Sequence, residues 1–180
     1  MDIYQTLTND HDRLKPLLDQ LVAASEVNDN TKDILNQIRD LLVPHSRAEE
    51  AVFYNSLRGL DLTKELVMDG YREHLEAETL LRSLRGLEKI NIEWTAAAKK
   101  LRDILNHHIA DEEDRIFPQS KQVLLDEEVR QMAVAFDQLK QKATEQGDLK
   151  NSLDLIANMM PNRFSQRMRE MDTSNFNASA

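Results

Sequence analysis

The chain of 180 residues contains no cysteine and only four glycines and four prolines. The lack of cysteine excludes disulfide frameworks, thiolate-held zinc or iron–sulfur sites, and any cysteine nucleophile. So few glycines and prolines leave too little turn punctuation for an all-β or α/β domain of this length. Long apolar runs are missing as well. No stretch approaches the roughly 20 residues of a membrane span, and the opening MDIYQTLTND has no signal-peptide apolar region. Basic residues are the minority, 23 against 32 acidic, for a net charge of −9. An acidic surface repels phosphates rather than neutralising them, which argues against nucleic acid or an anionic membrane as partner. These features lead to the expectation of a cytoplasmic protein.

What is present is helical. Leu, Ala, Glu, Lys, Gln and Arg dominate, and apolar residues recur at steps of 3 and 4. The spacing predicts a first helix over 3–26, bent at Pro16, and a second that runs past Pro44 to Leu57. A third covers 62–87, with Leu66, Leu75, Leu80, Leu81 and Leu84 as its apolar stripe, and a fourth runs from Glu93 to Phe117. A fifth, over 121–146, carries Val129, Met132, Phe136, Leu139 and Ala143 on one face. That face either closes the bundle or forms a homodimer contact. A short helix over 152–160 and a polar tail, DTSNFNASA, complete the chain. Short connections favour antiparallel neighbours. The expected fold is therefore all-α: an up-down-up-down four-helix bundle over 1–120, a C-terminal helical extension over 121–161, and a flexible tail over 162–180.

The histidines carry the functional signal. His11 and His45 are 34 residues apart, and so are His74 and His108; the second pair repeats the first after 63 residues. Leu17 and Leu80, Leu18 and Leu81, Leu21 and Leu84, and Ile38 and Leu101 share that 63-residue offset. The chain thus holds two copies of a helical hairpin, each placing one histidine on each helix. HSRAEEAVF from His45 matches HIADEEDRI from His108 in the histidine and both glutamates. At a rise of about 1.5 Å per residue, His11, His45, Glu49, His74, His108 and Glu112 all fall in one slab at mid-bundle. His45 with Glu49, and His108 with Glu112, are spaced i and i+4 and share a helix face. Imidazoles and carboxylates converging in a dry core would be costly unpaired, and a pair of divalent cations satisfies them. Glu49 and Glu112 can bridge the ions, with the histidines terminal and positions left open for a small ligand.

Neighbouring residues have plainer readings. Successive helical residues point about 100° apart, so His107 lies outside the site that takes His108. Glu50 and Glu113 face solvent or brace the ligands. Asp10, Asp12 and Asp111 are placed to orient imidazole N–H groups, or simply lie on helix surfaces. Tyr4, Phe53, Trp94, Phe117 and Met132 read as core, with Tyr4 two turns before His11.

The segments NDHDRL around His11, HSRAEEAVFY, REHLEAE around His74 and HIADEEDRIFP resemble the hemerythrin family, in particular bacterial HHE cation-binding domains, over about residues 1–120. The resemblance implies a non-haem di-iron centre, with His11, His45, His74 and His108 as terminal ligands and Glu49 and Glu112 as bridges. Histidine and carboxylate ligands by themselves equally suit manganese or zinc. Oxygen-carrying hemerythrins have a second histidine one turn after the third-helix histidine; here that residue is Glu78, a further candidate ligand, which weakens reversible oxygen carriage. The carriers' spacing between last histidine and carboxylate would select Glu113, and the HHE pattern selects Glu112. The expected function is binding of dioxygen, nitric oxide or peroxide for storage, sensing or stress response. The alternatives are a di-iron enzyme acting on peroxide or nitric oxide, and an iron reservoir or iron-responsive interaction module.

Overall fold

The computed structural model describes residues 1–146. The expected short helix over 152–160 and the tail lie outside the described residues. Long helices α1 (Ile3–Ala23), α2 (Asp29–Glu49), α4 (Lys64–Arg85) and α5 (Ile92–Asp111) form the bundle. α2 continues through a π-helical turn, Glu50–Tyr54, into the short α3 (Asn55–Leu57). α5 continues likewise through Glu112–Ile116 into α6 (Phe117–Ser120), and α7 (Asp126–Gln146) follows. No strand occurs among the described residues.

Local chemistry sets the helix starts. The side chains of Asp2, Asn28 and Asn91 accept from the backbone N–H groups of Gln5, Thr31 and Trp94, so three of the bundle helices begin on side-chain caps. α1 stays helical through Pro16 and α2 through Pro44. α1 packs on α2 and α5, and α4 packs on the same two helices, closing a four-helix square. α7 lies along α1 and α2. Its apolar face, Val129, Met132, Phe136 and Leu139, is buried, so this helix closes the bundle within its own chain.

One expectation about the third bundle helix fails. Leu75 is 68% exposed, and the buried stripe of α4 runs through Leu66, Gly70, His74, Ala77, Leu81 and Leu84. With His74 turned inward, its successor sits about 100° round the helix and faces solvent.

The core is divided in two. One apolar cluster gathers Leu14, Leu18, Leu21, Ile38, Leu81, Leu84, Trp94 and Leu101. The other gathers Ile3, Tyr4, Leu7, Phe53, Tyr54, Leu57, Phe117 and Phe136. Each such side chain contributes about 1.5–3 kcal/mol on burial. In chain order along α1, His11 falls between Leu7 of one cluster and Leu14 of the other, so the histidine layer is plugged by hydrocarbon at both ends. None of the described helices is long and apolar enough to cross a membrane.

Candidate metal centre

The structure brings together all six residues that the repeat selects. His11, His45, Glu49, His74, His108 and Glu112 are each no more than 3% exposed. Glu49 lies between two histidines, its Oε2 at 3.5 Å from His45 Nε2 and 3.4 Å from His74 Nε2. Glu112 lies between the other two, its Oε2 at 3.2 Å from His11 Nε2 and 3.8 Å from His108 Nε2. The rings themselves pair differently: His11 with His45, centroids 5.2 Å apart, and His74 with His108, 4.5 Å apart with their Nε2 atoms at 3.1 Å. Each glutamate therefore stands between the two histidine pairs.

Every histidine is held from behind. His11 Nδ1 pairs with Glu113 at 2.9 Å, His45 Nδ1 with Asp10 at 3.1 Å, His74 Nδ1 with Glu50 at 3.0 Å and His108 Nδ1 with Glu73 at 3.1 Å. A carboxylate on Nδ1 fixes the ring and its tautomer and leaves Nε2 as the free electron pair, the arrangement that metal-binding imidazoles use. These outer carboxylates obey the repeat as well. Asp10 and Glu73 are 63 residues apart, as are Glu50 and Glu113.

Four of the inner donor atoms lack a hydrogen-bond partner. Both oxygens of Glu49, Oε2 of Glu112 and Nε2 of His11 are buried without a hydrogen bond. Leaving a buried polar atom unpaired costs about 1–3 kcal/mol, and more for a charge. Ligand atoms of Glu49, His74 and His108 all lie within 4.8 Å of one another. Inward imidazole nitrogens and carboxylates, with these unmet hydrogen bonds among them, fit a divalent cation by donor chemistry.

Electrostatics follow from the same crowding. Burial pushes Glu49 well above the usual carboxylate range, and the negative charge of Glu112 adds to this. Burial also raises Glu112, but His108 and His11 beside it outweigh that and bring it well below. Burial and the neighbouring His108 hold His74 well below the ordinary imidazole value. Burial lowers His108 too, yet Glu112 and Glu73 reverse the sign and raise it.

The π-helical turns belong to the site. In both hairpins the turn begins at or one residue after the inner glutamate, closed by bonds from Asn55 N to Glu50 O and from Phe117 N to Glu112 O. Such widened turns are rare and cluster at functional positions. At the end of the first of them, Tyr54 donates to Glu112 Oε1 at 2.5 Å and stacks on His74.

The chain carries the fold, the paired hairpins and the inward histidines together, and the family model for the hemerythrin HHE cation-binding domain matches residues 2–120. The chain belongs to this family. It is also similar to a protein named DNA nickase from Nostoc sp. (strain PCC 7120 / SAG 25.82 / UTEX 2576), 28% identical over 145 residues, which are 79% of this chain and 40% of that protein. The chain therefore spans less than half the length of that relative. No solved structure gives a significant match.

Within this HHE domain the other candidates are placed as follows. Glu78 Oε2 accepts from Arg47 at 2.8 Å, and Glu78 lies outside the Glu49, His74 and His108 cluster. Glu113 is 29% exposed in its side chain and serves as the brace of His11, while Glu112 points inward. His107 is exposed, with Nδ1 at 2.8 Å from Glu73. Asp12 pairs with Lys15 and Asp111 with Arg115, so of the three aspartates only Asp10 holds a site imidazole. Tyr4 is core, edge-on to Phe53 and tilted on Phe117. Glu73 was not among the candidates; its correspondence to Asp10 under the 63-residue repeat was the signal that could have found it.

Proposed function

We propose that this chain holds two iron ions between His11, His45, Glu49, His74, His108 and Glu112, and that the centre binds or reacts with a small oxidant: dioxygen, nitric oxide or peroxide. One observation carries the reading. All four imidazoles are braced through Nδ1 and turn Nε2 toward two buried carboxylates, of which Glu49 has neither oxygen hydrogen-bonded and Glu112 has only Oε1, held by Tyr54. When bound there, an iron pair supplies one- and two-electron exchange with the small ligand.

The protein's own contribution is positional. Glu49 and Glu112, each between the two histidine pairs, are the carboxylates that would hold the ions together. His11 with His45 would hold one ion, and His74 with His108 the other. The apolar clusters on either side of the layer exclude bulk water and larger substrates. Glu78 is engaged with Arg47 at the position where a carrier has its additional histidine, and this favours sensing or turnover over reversible carriage. Nucleic acid is not part of the reading: at net charge −9 the chain offers little to offset phosphate repulsion. The name of the Nostoc relative makes DNA nicking the competing proposal.

The test is optical. Reduced, iron-loaded protein prepared without air is then exposed separately to dioxygen, nitric oxide and peroxide. A new visible absorption with at least one of them, lost in His108→Ala, is expected. No change with any of the three contradicts the reading, and nicking of supercoiled plasmid by the purified chain would favour the competing one.

A further inference from the structure

The four histidines, the two inner glutamates and the carboxylates on Nδ1 correspond between the two halves of the site. Asp10 corresponds to Glu73 and His45 to His108 under the 63-residue repeat, and both carboxylates hold their histidine Nδ1 at 3.1 Å. Beyond that the halves part. At Glu73 the outer partner is His107, from the same helix as His108, and the pair sits at the surface. At Asp10 the outer partners are Lys140, whose Nζ lies 2.6 Å from Oδ1 and also contacts Oδ2, and, at a longer 3.7 Å, the exposed Arg13. Lys140 comes from α7, 130 residues along the chain from Asp10 and outside the stretch that matches the family.

α7 touches this half of the site a second time. Phe136, one turn before Lys140, sets its ring edge-on to His45 at 5.6 Å and 81°. The Lys140 ammonium in turn lies 5.7 Å from the Phe136 centroid. Asp10 is 5% exposed and Phe136 fully buried, so these contacts form within the packed core and not on a mobile surface. His45 therefore rests on two residues of the fifth helix, one through its ring and one through its carboxylate.

We propose that α7 is a working part of the metal centre, with Lys140 the positioning residue for His45, so that the ion held by His11 and His45 depends on α7 while the ion held by His74 and His108 does not. The physical reason is a charge-assisted chain. Lys140 fixes both oxygens of Asp10, Asp10 fixes the Nδ1 proton of His45, and Nε2 is thereby aimed inward and made a better donor. Without the ammonium, Asp10 keeps only the longer contact to exposed Arg13 beside His45, and its grip on the imidazole loosens. The inference rests on the two-ion reading above.

The experiment follows release of iron(II) from the full chain to a chelator, without air, beside urea unfolding of the metal-free protein. Wild type is expected to release two irons. In Lys140→Met one of the two should leave about tenfold faster or more, with the other unchanged. Lys140→Gln should behave as Lys140→Met, and Lys140→Arg should restore the slow phase. Arg130→Met, which removes the same charge from an exposed position paired with Glu127 on the same helix, should match wild type. Two overlapping wild-type rates in Lys140→Met and Lys140→Gln overturn the inference. So does equal acceleration of both irons with a lowered urea midpoint, which marks a merely structural lysine. Fewer than two irons in wild type counts against the two-ion reading itself.

Discussion

Tyr54 donates its hydroxyl proton to Glu112 at 2.5 Å, and both side chains are fully buried. The residue 63 positions on is Phe117, which has no hydroxyl to offer Glu49. The two inner carboxylates are thus unequal before any cation arrives. Tyr54→Phe removes a donor from a buried carboxylate and should cost the metal-free protein about 1.5–3 kcal/mol, as for other hydrogen bonds to charged groups. Urea denaturation of chelator-treated protein measures it. The loss should shrink in the metal-loaded protein, where cations take up the carboxylate oxygens.

Gly70 makes room for that tyrosine. A Cβ at Gly70 would come within 2.7 Å of Tyr54 Cε2 and 2.8 Å of Cζ. Alanine favours a helix interior over glycine by about 1 kcal/mol. Here the neighbour is a rigid ring stacked on His74, so overpacking at about 1–3 kcal/mol should win. Gly70→Ala is expected to lower the melting temperature and to weaken metal retention, both measurable on one preparation. A stabilised variant would mean that the ring gives way freely.

The outer carboxylates should matter nearly as much as the ligands. Glu73→Ala strips the brace from His108 Nδ1 and should reduce metal affinity about 10- to 100-fold in chelator competition. Asp12→Ala and Asp111→Ala, on the surface beside Lys15 and Arg115, should leave affinity unchanged.

Glu49 makes the metal-free protein sensitive to pH. Burial, then the charge of Glu112, puts its folded-state pKa well above the ordinary 4.5. Between those two values the folded chain binds a proton that the unfolded chain has released, so stability falls as pH rises through that window. Glutamine mimics the protonated acid. Metal-free Glu49→Gln should therefore gain on wild type as pH climbs above 4.5, with no difference below it. Urea midpoints at about pH 4 and about pH 8 check the sign. Binding of cations to wild type should release protons, and affinity should climb with pH.

Much of this molecule was legible in the residue order, and the limit has a physical cause. A repeat writes itself into sequence, so the 63-residue offset exposed His11, His45, His74, His108, Glu49 and Glu112 and placed the helices that carry them. Helix rotation was harder to read. Leu75 looked like part of an apolar stripe, but the demand that His74 face inward turns it to solvent. Which side chains meet across helices was not fixed by spacing alone. Asp10, Asp12 and Asp111 were equivalent candidates, and only packing brings Asp10 to His45. Lys140 lies on a helix without a partner in the repeat, so nothing in spacing connects it to Asp10. The π-helical turns after the inner glutamates have no composition signature of their own.

Metal content decides the central claim most directly. Iron is added to the chelator-treated protein without air, excess is removed, and bound iron per chain is measured for wild type and for Glu49→Ala. Two irons per wild-type chain, with clear loss in Glu49→Ala while far-ultraviolet circular dichroism stays helical, is the expected result. Less than one iron per wild-type chain, or the same content in Glu49→Ala, would contradict a carboxylate-bridged iron pair between these helices.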